Sequence, residues 1–534
     1  MKNILKSAFF PAVAALALTS CQKSYSDLYN NPNTPTSSPA SLVLTGVLSN
    51  VYEPPFTINE RWSQYFLSNY SYYALNFYNF GPGTSYYGVL ENVVKMQQSA
   101  AKDGLPAVNA YASLGQFFKA YLFAKMSMEM GDIPVSQSLA GTGNLTPAYD
   151  PQKMVFQQVF KWLDSANNNL ASLIAVQDKT MQGDFYFNND LTKWQKLTNT
   201  LRLRLLIDLS KKSADADLNI AQQFTMVISN PGKYPIMQDA TDNWQFVSLN
   251  PTNKYPNNPD NFGNDASRYN CSSTYLGLLT QLQDPRVFVT AEPAAAKIAG
   301  GANPTDFAAF VGADPGEDQT PMSNEAGAGA YSFLNRKHYY DTYTGEPSIQ
   351  VGYPELCFNI AEAINRGWIV SGPAGGPSGS GSSNAEDWYK AGIIASMNSY
   401  SIPLSGAMPV YFLHPGASLG SYDRYSVNVD FANVYYPQTA VKYSANAATA
   451  LNQIMVQKYL ALFRHSGLQS YYNYRRTGVP TFTTGSGTGN NGKIPLRFQY
   501  PTSEISANAK NYNAALQAQF GGTDDINQAM WILK

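Results

Sequence analysis

Residues 107–134 read AVNAYASLGQFFKAYLFAKMSMEMGDIP. Apolar side chains fall at Val108, Tyr111, Leu114, Phe118, Tyr121 and Leu122, a spacing that lines them along one face of an α-helix. Gly131 ends the run because glycine takes left-handed backbone at little steric cost, and Pro134 follows it. The stretch predicts a helix over 107–130. Outward from it the same signal recurs. Asp150-Pro151 offers a cap and a proline at the first helical position, and Val155, Val159, Trp162, Leu163, Ala166 and Leu170 share the face that follows. Thr192 opens a further helix with Trp194, Leu197, Leu201 and Leu205 inward. Others are predicted at 354–366, closed by Gly367, at 384–400 and at 447–465.

Between these helices lie two long segments of low periodicity, 230–348 and 401–443, rich in Asn, Pro, Gly and aromatics. Structureless loops of this length are uncommon in a compact domain unless they carry function. The reading is mostly α: a helical scaffold bearing an irregular, loop-rich lobe. Residues 371–383, a run of Gly, Pro and Ser, form a linker between two scaffold helices and not a domain boundary. No 34-residue repeat is visible in the pattern.

The chain's 534 residues are 44% hydrophobic and 14% charged, which is a globular composition. Residues 1–20 read as a secretory leader, with Lys2 and Lys6 before an apolar run from Ala8 to Leu18 that is too short to span a bilayer. The leader ends Leu18-Thr19-Ser20-Cys21, the pattern of a bacterial lipobox, in which Cys21 takes the acyl chains. Acyl chains supply roughly 0.8 kcal/mol per buried methylene, so several of them anchor a protein firmly. A polar, Pro-rich tether over 21–39 then spaces the body, 40–534, from the membrane. Cys271 and Cys357 remain, and both are expected as free thiols. With the leader removed, Lys plus Arg is 34 against 37 acidic residues, and no stretch is strongly basic, which argues against nucleic acid.

Several strings taken together resemble the SusD/RagB family of outer-membrane nutrient-binding lipoproteins, particularly its starch-binding-associated subgroup. They are the lipobox, Asn31-Pro32-Asn33, and Phe117-Phe118-Lys119-Ala120-Tyr121-Leu122-Phe123 leading to Gly131-Asp132-Ile133-Pro134. The run 194–204 (WQKLTNTLRLR) follows, then Ala361-Glu362-Ala363, Arg366-Gly367-Trp368 and Tyr389-Lys390-Ala391-Gly392-Ile393. Gln457-Lys458-Tyr459 and Tyr474-Arg475-Arg476-Thr477-Gly478 complete the order over nearly the whole mature chain. The resemblance implies a tetratricopeptide-like helical-pair scaffold and a loop-rich lobe that binds glycan at the outer membrane. It also implies a partner, a SusC-like TonB-dependent transporter that the protein covers as a lid.

Residues 69–87 hold eight aromatics in nineteen: Tyr70, Tyr72, Tyr73, Phe77, Tyr78, Phe80, Tyr86 and Tyr87. A sugar ring offers a face of slightly positive C–H bonds that suits the negative face of an aromatic ring. Amides such as Asn69, Asn76 and Asn79 can serve hydroxyls as donor and acceptor at once. Candidate glycan contacts are therefore Tyr72, Tyr73, Phe77, Tyr78, Asn79 and Phe80. The lobe adds Trp244, Tyr255, Tyr339, Tyr340 and Tyr343, with Phe262 and Tyr269 as comparable rings. For any one ring the competing expectation is simple packing into the core.

Catalytic patterns are weaker. Gly416-Ala417-Ser418-Leu419-Gly420 matches a nucleophile elbow but lacks the flanking strand and helix. Residues 487–492 match a dinucleotide fingerprint with no helix after it. His338, His414 and His465 are dispersed, without zinc spacing, and no Asp-rich loop announces calcium, so neither cofactor nor metal is expected. A glycoside hydrolase needs two carboxylates at a set separation, for which Glu355 with Glu362 and Asp341 with Glu346 are the available pairs. The sequence points to a binding protein; a glycosidase, or a transporter lid that barely touches glycan, are the alternatives.

Overall fold

The structure, a computed structural model, describes residues 38–373, 376–377 and 383–534. The leader, Cys21, the tether up to residue 37, and linker residues 374–375 and 378–382 lie outside the described residues.

Helices α1 (Ala40–Asn50) and α2 (Tyr87–Lys102) precede α3 (Ala110–Met130), the helix expected from the opening stretch. Asn109 starts α3 by accepting the amide of Ala112 at 2.8 Å, and Gly131 stops it at a φ of 98°. α4 (Gln152–Ala175) begins where Pro151 predicts, but Asp150 is not its cap. The Asp150 carboxylate instead accepts the amides of Val135 and Ser136, each at 2.8 Å. Asp132 takes the free Gln152 amide at 2.7 Å. Because the chain after α3 folds back beside the start of α4, each carboxylate meets the amides of the other segment.

The scaffold continues through α5 (Leu191–Asp208), α6 (Ile220–Ser229), α7 (Tyr353–Asn365), α8 (Ala385–Ser399), α9 (Ala447–Ala461) and α10 (Gln469–Thr477). From α1 to α5 each helix packs on the next; α5 touches α6 and α7, and α7 packs on α8 and α9. The result is a tetratricopeptide-like scaffold of helical pairs. α9 ends at Ala461, four residues short of the expected His465. One hydrophobic cluster runs from Ala40 to Ile532. In it the Trp194 ring meets Phe117 and Phe118 edge-on at 5.4 and 5.7 Å. Burying each such ring stabilises the fold by about 1.5–3 kcal/mol.

Among the buried ion pairs of this core, two tie α7 to its neighbours through arginine. Arg204 Nε donates to Glu355 Oε1 at 2.9 Å, joining α5 to α7, and Arg476 donates to Glu362 Oε2 at 2.9 Å, joining α10 to α7. Burial opposes ionisation of Glu362, but Arg476 and then Arg366 outweigh it and hold the carboxyl down at about 2. The carboxylates at 355 and 362 are therefore links between scaffold helices.

The lobe is built from the segments between α1 and α2, between α6 and α7, and after α8. Strands β1 (Phe66–Ser68), β2 (Trp244–Phe246), β3 (Tyr269–Cys271) and β4 (Ser348–Val351) form two antiparallel pairs, β1 with β3 and β2 with β4. The segment 401–443 is not irregular. Most of it is a hairpin, β5 (Ser405–Leu413) against β6 (Tyr422–Asp430), paired from Ser405↔Asp430 to Leu413↔Tyr422. Met408, Val410 and Phe412 turn inward while Ala407 and Pro409 face out, a period of two that Gly and Pro within and around the run obscure. The string 416–420, which matches a nucleophile elbow only as a pattern, is the turn of this hairpin, with Gly416 and Gly420 at positive φ.

Candidate functional site

β1 leaves the core at Ser68, and the loop after it carries three rings. Tyr72 is 84% exposed and Tyr70 42%, with Tyr73 half-buried beside them. Their centroids stand 6.3 Å (Tyr70–Tyr72), 6.0 Å (Tyr70–Tyr73) and 5.6 Å (Tyr72–Tyr73) apart. Tyr269, from the pairing strand β3, extends the group at 6.3 Å from Tyr73. The four rings make a stepped shelf on the surface of the lobe, inclined to one another by 39–82°.

The loop is clamped at its base. Asn76 donates to Ser68 O at 2.8 Å and accepts the Ser68 amide at 2.9 Å. Gln319 donates to Ser68 O at 3.1 Å and Ala74 O at 2.7 Å, and Asn69 donates to Ser267 O at 3.1 Å. The Tyr73 hydroxyl donates to the carbonyl of Asn264. The rings are thus held in place before any ligand arrives, which reduces the ordering cost of binding.

The shelf borders a cleft of about 570 Å³, within the range of small-ligand sites. Asn69 and Arg268 lie where the two meet, and the Arg268 guanidinium carbon sits 4.6 Å from the Tyr70 ring centroid. Phe333 and Phe412 supply apolar wall, Phe412 from the hairpin. Small residues such as Ala296 and Gly327 leave the opposite wall low. Arg336 completes the lining, its Nε bonded to Glu292 at 3.1 Å and a terminal nitrogen to Leu413 O at 2.8 Å. Burial raises the Asp265 carboxyl, whose Oδ1 is buried without a hydrogen-bond partner and which does not line the cleft.

The expected site residues divide by burial. From Asn76 to Phe80 the chain is extended and alternates, so Phe77 and Asn79 face out while Tyr78 and Phe80 face in. Tyr78 donates to Trp62 O at 3.2 Å and accepts from Gln64 at 2.9 Å, and Phe80 stacks on Phe498 at 4.4 Å. Neither ring is open at the surface. Trp244, Tyr255, Tyr339 and Tyr340 are corrected likewise, each no more than 1% exposed. Trp244 packs on Tyr121 at 5.0 Å, Tyr255 and Tyr339 close on Phe56 at 6.1 and 5.7 Å, and the Tyr340 hydroxyl accepts from Asn257 at 2.8 Å. Tyr343 is half-buried, its hydroxyl donating to Asp260 at 2.9 Å and its ring 4.4 Å from Lys254 Nζ. Tyr72, Tyr73 and Tyr269 are brought together; Phe77, Asn79 and Tyr343 stay at the surface. Arg268, Arg336, Phe412 and the small-residue wall were not legible as site residues, since no spacing joins them.

The remaining catalytic candidates are otherwise engaged. Asp341 pairs with Lys337, and Glu346 Oε2 lies 2.7 Å from His338 Nε2. Burial opposes ionisation of Glu346, but His338, with His465 and Arg464 behind it, outweighs burial and keeps the carboxyl below its ordinary range. The loop 487–492 supports the lobe, with the Thr488 carbonyl accepting the Tyr78 amide at 2.7 Å. Among the described residues no group of three or more His, Cys, Asp or Glu is arranged to hold a metal. Cys271 and Cys357 are buried and unpaired, as expected.

A rigid helical scaffold that presents an open cleft beside a preformed aromatic shelf defines a ligand-binding protein. Comparison with known proteins gives the family: the chain belongs to the SusD-like family described as starch-binding and associating with the outer membrane, whose family model matches residues 32–501. Its fold is similar to that of a SusD homologue of Bacteroides fragilis, with 30% identity and a TM-score of 0.78 over 93% of this chain and 100% of that one. A second SusD homologue of Bacteroides fragilis is 28% identical, with a TM-score of 0.75 over the same shares of the two chains. A chitin-binding SusD homologue from Flavobacterium johnsoniae shares the fold at 20% identity, with a TM-score of 0.67 over 93% of this chain and 98% of that one. No curated protein sequence matches the chain.

Proposed function

We propose that this protein captures glycan at the cell surface, held to the outer membrane by acyl chains on Cys21, and passes it to a SusC-like TonB-dependent transporter. The single observation that carries the capture step is the open shelf of Tyr70, Tyr72, Tyr73 and Tyr269 beside the cleft. The exposed Tyr72 ring suits a sugar face, and its neighbours, inclined to one another by 39–82°, can flank the same ligand. No helix among the described residues is long and apolar enough to cross a membrane, which agrees with attachment through the N-terminal cysteine. Family membership supports the transporter as partner, and the chitin-binding relative supports a polysaccharide as cargo.

The experiment is calorimetric titration of the full chain in detergent micelles with neutral and charged oligosaccharides, with affinity isolation from membranes alongside. Heat of binding together with co-isolation of a large outer-membrane barrel is the expected result. A barrel recovered without heat from any glycan would leave only a lid. Reducing ends released from polysaccharide by the wild type, and lost in Asp341→Ala or Glu346→Ala, would replace capture with hydrolysis.

A further inference from the structure

We propose that the glycan taken by this cleft is anionic, bearing carboxylate or sulfate groups that dock on Arg268; the inference rests on the cleft being the glycan site. The charged residues lining the cleft are Arg268 and Arg336, and no Asp or Glu lines it. The whole chain has 36 basic and 37 acidic residues, so an all-cationic lining is a local arrangement and not an overflow of basic composition.

The two arginines differ in what remains free. Arg336 is held by Glu292, which neutralises it, and by the Leu413 carbonyl, so it is a fixed part of the wall. Arg268 has no ion pair and no side-chain hydrogen bond among the described residues, and its Nε is buried without a partner. Its contact is the face of Tyr70, and its two terminal nitrogens, neither buried nor hydrogen-bonded among the described residues, leave the outer N–H edge of the guanidinium open. That edge is the fork that meets an oxyanion with two parallel hydrogen bonds. Of the acids near the cleft, Glu292 is turned to Arg336 and Glu317 to the Tyr331 hydroxyl at 2.8 Å, while Glu325 and Asp314 lie outside the lining on the Tyr331 side, away from the Arg268–Tyr70 contact. The terminal nitrogens lack an acceptor, and an incoming carboxylate or sulfate supplies one. The Tyr70 ring meanwhile fixes the guanidinium beside the shelf, so one sugar can stack on a ring while its acidic group reaches Arg268.

The test titrates the full chain in detergent with oligogalacturonate, its methyl ester, a chondroitin sulfate oligosaccharide, its desulfated form, and neutral malto- and chito-oligosaccharides. At least one acidic ligand is expected to bind about tenfold more tightly than its neutralised counterpart. That advantage should shrink as salt rises from roughly 0.05 to 0.5 M. Arg268→Gln should remove the advantage and its salt dependence together, and Arg268→Lys should restore only part of it. Preference for galacturonate or for the sulfated ligand identifies the anionic group. If neutral sugars bind and acidic ones gain nothing, the anionic inference falls while capture stands. If no sugar binds, both fall. The ester and desulfation comparisons need only the wild type, so a misfolded variant does not spoil the test.

Discussion

Replacing Tyr72 and Tyr78 with Ala, separately, distinguishes the shelf from the core beneath it. Tyr72 is 84% exposed, so its loss should change folding by no more than about 0.5 kcal/mol. What it removes is one ring of the shelf. With aromatic contacts as a guide, that is about 0.5–1.5 kcal/mol, or about 2- to 12-fold in Kd for a glycan. Tyr78 is 2% exposed, with its hydroxyl bonded to Trp62 O and Gln64 and its ring 6.1 Å from Phe80. Truncating a buried aromatic costs about 3–5 kcal/mol. Calorimetry for Kd and urea unfolding for stability should therefore give opposite outcomes. Tyr72→Ala weakens binding at an unchanged unfolding midpoint, and Tyr78→Ala lowers the midpoint while the folded fraction binds normally. A Tyr78→Ala protein of wild-type stability that has lost affinity, alongside a Tyr72→Ala protein that has lost none, would refute the assignment of faces.

Removing Arg476 strands the buried Glu362 carboxylate, and Arg476→Ala should cost about 3–5 kcal/mol in urea unfolding. Glu362 sits near 2 when folded and at the ordinary, higher value when unfolded, so its stabilisation is complete above about pH 4.5 and lost as pH falls toward 2. An unfolding midpoint flat across that window would contradict it. Glu129 runs the other way: burial raises it to about 7, so the folded state holds the proton more tightly and stability declines as pH rises from about 4.5 to 7. Glu129→Gln should flatten that decline, measured as the midpoint against pH. Cys271 and Cys357 should resist a thiol reagent in native protein and react once urea unfolds it, since both are fully buried; fast native labelling would show that the core opens locally.

Helix existence was legible wherever a local signal set it. The Gly131 stop, Pro151 and the cap at Asn384, which forms a capping box with Asp387, lie within a few residues of the ends they determine. Shorter helices such as α6 and α10 lacked such a run. The hairpin 405–430 escaped because alternation over nine residues containing Gly406 and Pro409 resembles loop. Asp150 misled because a capping residue has no fixed partner until the chain returns to it.

The candidate site was legible as a composition and not as a surface. Eight rings in nineteen residues marked the right loop, because clustering of a residue type is a property of the chain alone. Which rings face solvent is decided by what arrives from far away: Phe498 covers Phe80, the Thr488 carbonyl fixes Tyr78, and Phe56 with Arg464 shuts in Tyr339. The cleft joins Asn69, Arg268, Gly327 and Phe412 across more than three hundred residues of chain. The sequence by itself determined the helices, their order and the family pattern, since hydrogen bonding within a helix is local. Only the tertiary structure decided exposure, and with it which aromatics and which arginine remain open to a ligand, because burial is a property of everything that packs around a side chain.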